Sequence, residues 1–351
     1  FIADYHTKRD LVGDLSDAVR AQGLTMGLYY SGGLDWTFNP HVIADIADLF
    51  KAVPQSDEYV RYADAHWREL TERYRPACMW NDIGYPVGSD VGALFADYYN
   101  AVPEGVINDR FTQAGPDQVA QISQGMLPKP AHSDYRTPEY AVFDTIQPDK
   151  WESCRGLGFS FGYNRNESVN DMLSPVELIR SFIDIVSKNG NLMLSVPLQR
   201  DGQPDADEIK IVSEIGAWLR VNGEAIYSTR PWKIYGEGPS TETVEKGQFD
   251  GQKDVGSKPF TSEDIRFTQS KDGKTLYAIV LEIPADGKVT IKSLAVHSAQ
   301  WNWQQNVSSV KLVGSSGWFG GKLKFTRDEN GLHVTLPKQF AGKTALALKI
   351  K

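Results

Sequence analysis

SDEYVRYADAHWRELTERYRPACMWNDIG (56–84) contains one helix, one break and one strand. Tyr59, Tyr62, Ala63, His66, Trp67, Leu70 and Tyr74 recur at helical spacing and form one stripe. Ser56 is placed to cap the first turn. Pro76 stops the helix, because its ring removes a backbone donor and clashes with the preceding turn. ACMWND (77–82) then reads as a short buried strand that ends on the carboxylate of Asp82.

The same alternation runs outward in both directions. Upstream, DLVGDLSDAVRAQ (10–22) puts Leu11, Leu15 and Val19 on one helical face, with Gly23 placed to end it. TMGLYYS (25–31) follows as a strand. Downstream, GALFADYYNAV (92–102) is helical and GVINDRF (105–111) is a strand. Residues 112–150 carry little periodicity, and a loop of that length is functional or disordered. WESCRGLGFSFGYN (151–164) reads as strand-like. SPVELIRSFIDIVSKNG (174–190) opens with a capping box, Ser174 to Glu177, with Pro175 between them and Gly190 as its C-cap. NLMLSVP (191–197) is the next strand, and residues 205–221 form an amphipathic helix stopped at Asn222–Gly223.

Repeated strand–helix units imply a parallel sheet with its site at the C-terminal strand ends. Tyr29, Asp82, Asp109, Arg110, Phe161, Tyr163 and Asn191 sit there. In a (β/α)8 barrel they would meet in one pocket. About five or six strands are legible between residues 24 and 197, whereas a closed barrel needs eight. The expectation is therefore a barrel incomplete at its N-terminal side, with two strands lying before the abrupt start FIADYHTKRD.

Near residue 225 the pattern changes to short alternating runs, from RFTQSKDGKTLYAIVLEI to TALALKI, separated by Gly-containing turns. That reads as an antiparallel β-sandwich. The expected division is 1–228 for the barrel and 229–351 for the sandwich, in line with a length of 351 residues. Trp301, Trp303 and Trp318 give the second domain a possible carbohydrate face; a plain buttress for the barrel fits the same pattern.

A net charge of −8 with no basic stripe argues against nucleic acid or anionic membrane partners. Two cysteines, Cys78 and Cys154, exclude a disulfide framework and leave a single bridge open. The six histidines show no HExxH-type spacing, and no G-x-S-x-G, phosphate loop or G-x-G-x-x-G occurs. Neither a metal nor a cofactor is implied. Asn166–Glu–Ser168 and Asn306–Val–Ser308 are glycosylation sequons. Oligomeric state and compartment stay open.

Four constellations carry chemistry. In WNDIG (80–84), Asp82 at a strand end beside Trp80 suits attack on an anomeric carbon; an Asp capping the next turn would occupy the same place. In TPEY (137–140), Glu139 offers a carboxylic acid for a leaving group, against the alternative of a solvated loop residue. Glu152 in WESC (151–154) is a second candidate acid, or a buried ion-pair partner. In NDR (108–110), Arg110 can hold sugar hydroxyls or make a structural salt bridge. Tyr29, Trp36 and Phe161 are candidate apolar walls.

Read in order, KRDLVGDLSDAVRAQGLTMGLYYSGGLDW, EL-x-x-RY, MWNDIG, INDR, TPEY, WESC, FSFGYN, SKNGNLMLSVP and NGEAIYSTRPW resemble glycoside hydrolase family 29, the α-L-fucosidases, over residues 8–235. The resemblance implies a (β/α)8-like barrel, a β-sandwich and hydrolysis of terminal α-L-fucose with retention. It implies Asp82 as nucleophile and Glu139 as acid/base. Tyr29, Trp80, Arg110 and Phe161 fall where the family lines its fucose pocket, with Phe161 in a position where many members have Trp. The family's His–His pair has no counterpart here. The implied partner is a fucosylated oligosaccharide or glycoconjugate. A non-catalytic sugar-binding protein and a retaining glycosidase for another sugar are the alternatives.

Overall fold

The structure, a computed structural model, describes residues 7–115, 118–119, 122, 129–241, 260–296, 306–315, 321–340 and 344–351. Trp301, Trp303 and Trp318 lie outside the described residues. Backbone contacts divide the chain into two compact units, Phe1–Thr137 and Pro138–Lys351.

The first unit runs α1 (Leu11–Ala21), β1 (Leu28–Tyr30), α2 (Ile46–Lys51), α3 (Asp57–Tyr74), β2 (Cys78–Asn81), α4 (Val91–Ala101) and β3 (Val106–Ile107). The strands form one parallel sheet in the order β1-β2-β3, with Tyr29 opposite Trp80 and Met79 opposite Ile107. Ser56 caps α3 as expected, accepting from the Tyr59 amide at 3.2 Å. The helix ends at Arg75 in a left-handed conformation, one residue before Pro76. Tyr59, Ala63 and Trp67 of α3 pack with Leu94, Phe95 and Tyr98 of α4 and with Met79, Ile107 and Phe111 in one core. Burying such a set is the main force holding sheet and helices together.

Helix α1 departs from its sequence pattern. Leu11 and Leu15 are 57% and 56% exposed, and the buried residue is Ser16. The cause lies at Asp10, which caps α1 and also accepts from Tyr74 at 2.7 Å and Arg73 at 2.6 Å. Those bonds fix the roll of α1 against α3.

The second unit opens with β4 (Trp151–Gly156), α5 (Pro175–Ser187), β5 (Gly190–Ser195) and α6 (Ala206–Asn222). Strands β4 and β5 are parallel, with Glu152 opposite Asn191. The capping box at Ser174 and Glu177 forms as read from sequence. The expected C-cap does not. Asn189 takes the left-handed turn at φ 75°, and Gly190 begins β5. A Cβ on Gly190 would lie 2.5 Å from the Trp151 ring, so this glycine serves close packing. The strand expected over 151–164 stops at Gly156, where the Ser160 carbonyl folds back to 2.4 Å from where a Cβ would stand.

The C-terminal region is β-rich. It comprises β6 (Thr229–Glu237), β7 (Ile265–Ser270), β8 (Leu276–Glu282), β9 (Lys288–Ile291), β10 (Val310–Leu312), β11 (Lys324–Asp328), β12 (Gly331–Thr335) and β13 (Thr344–Ile350). Five strands form an antiparallel sheet, β10-β13-β8-β7-β6, and three form another, β11-β12-β9. The period of two sorts β8 between two cores. Leu276, Ala278 and Val280 join Val289, Ile291, Leu332 and Val334 of the smaller sheet. Tyr277, Ile279 and Leu281 turn the other way, onto Ile179 and Ile183 of α5 and Trp218 of α6. Beside this second core, Asp184 is buried between Arg266, at 2.5 Å, and Lys188, at 2.7 Å.

Candidate functional site

The carboxylate of Asp82 sits just past the end of β2, where the chain makes a tight turn. Asn81 is fully buried, and its side-chain Nδ2 donates to the carbonyls of Gly84 at 2.9 Å and Arg110 at 3.1 Å. The Asn81 backbone amide donates to Asn108 Oδ1 at 3.2 Å, and Asn108 Nδ2 donates to the Asn81 backbone carbonyl at 2.9 Å. These bonds hold Ile83 at φ 62°, a conformation a β-branched residue avoids. Strain of this kind costs about 1–3 kcal/mol and persists only where the surroundings over-determine it. Gly33 makes the turn possible, since a Cβ there would lie 1.9 Å from the Ile83 carbonyl oxygen.

Asp82 is therefore presented rather than buried, with its side chain 17% exposed. Its Oδ1 accepts from Arg110 Nη1 at 2.9 Å and from the Ile83 amide at 2.9 Å. Its Oδ2 accepts from the Tyr29 hydroxyl at 2.9 Å. The Arg110 guanidinium lies over the Trp80 ring at 4.7 Å, and Tyr29 stacks on Trp80 at 5.5 Å with 25° between planes. Four of the residues singled out from sequence, Tyr29, Trp80, Asp82 and Arg110, thus form one cluster. Tyr29 as a residue is 59% exposed, but its hydroxyl is withdrawn against the carboxylate. That burial, and then the charge of Asp82, pushes the phenol up to about 12. Tyr29 therefore stays a proton donor to Asp82 across neutral pH.

Trp36 follows β1 in the same unit. It is 56% exposed in a turn organised by Asp35, whose Oδ1 accepts from the Thr37 amide at 2.9 Å.

Glu139 belongs to the second unit. Its backbone is clipped to β4: Cys154 donates to the Pro138 carbonyl at 3.0 Å, and Tyr140 donates to the Cys154 carbonyl at 2.9 Å. The loop expected from composition is thus extended and anchored where it carries the acid, and the Glu139 side chain is half-buried. Tyr140 adopts φ 48°, with its hydroxyl donating to the Gly158 carbonyl at 3.1 Å and accepting from the Gly156 amide at 3.0 Å. Phe161, 36% exposed, meets the Tyr140 ring edge-on at 5.4 Å. Glu152 is half-buried within β4.

Sequence reading passed over Asn81, Asn108, Thr137 and Tyr140. Their partners are far along the chain or are backbone atoms, so no local pattern marks them. Neither Cys78 nor Cys154 is in a disulfide, and Cys78 Sγ lies 3.0 Å from the Tyr135 hydroxyl. Among the described residues no group of His, Cys, Asp and Glu is arranged to hold a metal ion.

The sequence model of the α-L-fucosidase family matches residues 2–224, and that of the α-L-fucosidase C-terminal domain matches residues 257–351. The chain is 27% identical over 345 residues to tissue α-L-fucosidase of Homo sapiens, covering 95% of this chain and 62% of that protein. It thus spans under two thirds of that curated relative's length. Two solved structures of the Thermotoga maritima α-fucosidase are similar over 98% of this chain and 68% of theirs. One, in complex with a mechanism-based inhibitor, is 35% identical with a TM-score of 0.76. The other, in complex with fucose, is 34% identical with a TM-score of 0.75.

Proposed function

The chain belongs to the α-L-fucosidase family, and from that premise we propose that it hydrolyses terminal α-L-fucose from glycans with retention of configuration. The substrate class is a fucosylated oligosaccharide or glycoconjugate. The proposed catalytic part is a (β/α)8-like barrel over residues 1–228, and the proposed sandwich spans 229–351. Support for the barrel comes from two runs of parallel strands joined through helices, β1-β2-β3 and β4-β5. Support for the sandwich comes from two antiparallel sheets sharing one core.

In the proposed mechanism Asp82 attacks the anomeric carbon while Glu139 gives its proton to the departing glycosidic oxygen. A covalent fucosyl–Asp82 ester forms. Glu139, now a carboxylate, takes a proton from water, the water attacks the same carbon, and Asp82 leaves. Arg110 and Tyr29 hold the Asp82 carboxylate in one orientation. Trp80 gives the stacked apolar wall, and Phe161 a second one.

The observation carrying this reading is that Asp82 is both charge-paired and open to solvent. A merely structural carboxylate, sealed against Arg110, would have no route to a sugar; this one keeps 17% of its side chain exposed. The test is turnover of an aryl α-L-fucoside by Asp82→Ala. Loss of turnover is expected, and near-normal turnover would end the proposal. A matched aryl galactoside separates fucose from other sugars.

A further inference from the structure

We propose that Thr137 is a positioning residue that aims Arg110 at Asp82, an inference that rests on the role given to Asp82 above. A threonine hydroxyl has one proton and two lone pairs. Thr137 commits its proton to Asp109, with Oγ1 donating to Asp109 Oδ1 at 2.6 Å. The Thr137 amide donates to the same oxygen at 3.0 Å. The lone pairs of Oγ1 are left to accept, and Arg110 Nε donates to them at 2.9 Å. The Thr137 carbonyl accepts from Arg110 Nη2 at 3.1 Å.

One residue thus grips a whole edge of the guanidinium. The group is planar and rigid, so holding the Nε–Nη2 edge fixes where Nη1 points. Nη1 reaches Asp82 Oδ1 at 2.9 Å. The Trp80 ring beneath it, 4.7 Å away, sets the plane. Thr137 is 6% exposed, so water does not readily substitute for its hydroxyl. Asp109 has a share in this, since by taking the hydroxyl proton it makes Oγ1 an acceptor. A threonine that only tied its loop to the end of β3 would need the bonds to Asp109 but not those to Arg110.

The test uses the full chain with Thr137→Val, which keeps the shape and removes the acceptor, and Thr137→Ser, which restores it. The first readout is the Arg110 Nε–H resonance in nuclear magnetic resonance, assigned by its loss in Arg110→Lys. It is expected to exchange slowly in the unmodified chain and in Thr137→Ser, and rapidly in Thr137→Val. The second readout is turnover of an aryl α-L-fucoside. Thr137→Val should lower kcat by up to about a hundredfold with KM little changed, and Thr137→Ser should recover most of that loss. In an Arg110→Ala background Thr137→Val should cost less than about twofold more. A protected Nε–H in Thr137→Val, or an equal loss with and without Arg110, overturns the proposal. Near-normal turnover by Asp82→Ala sinks the role of Asp82, and the Arg110 resonance still decides that of Thr137.

Discussion

The Tyr29 hydroxyl donates to Oδ2 of Asp82 at 2.9 Å, from the strand adjacent to the one that ends just before Asp82. The parallel register makes this possible. Tyr29 pairs with Trp80, so the tyrosine side chain stands beside the strand end that presents the carboxylate. A hydrogen bond to a charged group contributes about 1.5–3 kcal/mol.

Tyr29→Phe should therefore lower kcat/KM on an aryl α-L-fucoside by about tenfold at neutral pH. The phenol is pushed up to about 12, so it stays protonated at any pH below about 10. An alkaline limb of the rate profile in that range then belongs to another group, and Tyr29→Phe should leave its position unchanged. Disappearance of the limb in the variant would contradict this.

Glu139 and Glu152 separate by leaving group. An acid that protonates the departing oxygen matters most when that oxygen leaves poorly. Glu139→Ala should cost about 10²–10⁴-fold on a natural disaccharide and far less on an activated aryl fucoside. Glu152→Ala should show no such contrast. Comparison of kcat/KM on the two substrates checks both, and a contrast in Glu152→Ala alone would transfer the role.

Asp184 tests the second unit rather than the chemistry. Burial works to raise its pKa, but Arg266 and Lys188 outweigh this and hold it below its ordinary value of 3.8. A depressed carboxylate stabilises the fold fully above its unfolded value and loses that contribution as pH falls through the folded one. Asp184→Asn leaves two buried cations with less compensation and should destabilise by about 3–5 kcal/mol. Urea denaturation at pH 7 measures this. The gap between variant and parent should begin to narrow as pH falls below about 4, where the unfolded parent takes up a proton that the folded carboxylate still resists.

The regular elements were legible because their signals are local. The Ser56 and Ser174 caps and the helix break ahead of Pro76 each depend on residues within one turn. Asp82, Trp80, Tyr29 and Arg110 could be picked out because strand ends gather polar groups in a parallel sheet. The roll of α1 could not be read, since it is set by Asp10 meeting Tyr74 across 64 residues. The role of Gly190 was hidden for the same reason: its reason for being glycine is the Trp151 ring. The anchoring of Glu139 rests on backbone bonds to Cys154, which carry no side-chain pattern at all. Thr137 stands 27 residues from the guanidinium it holds.

The nucleophilic role of Asp82 is tested most directly by trapping. A 2-fluoro-fucosyl fluoride should slow release of the sugar more than its capture, so the ester accumulates. Digestion and mass spectrometry of the labelled chain should find one fluorofucosyl group, carried on Asp82. A label on any other carboxylate, or steady turnover of an aryl fucoside with no label on Asp82, would contradict the account.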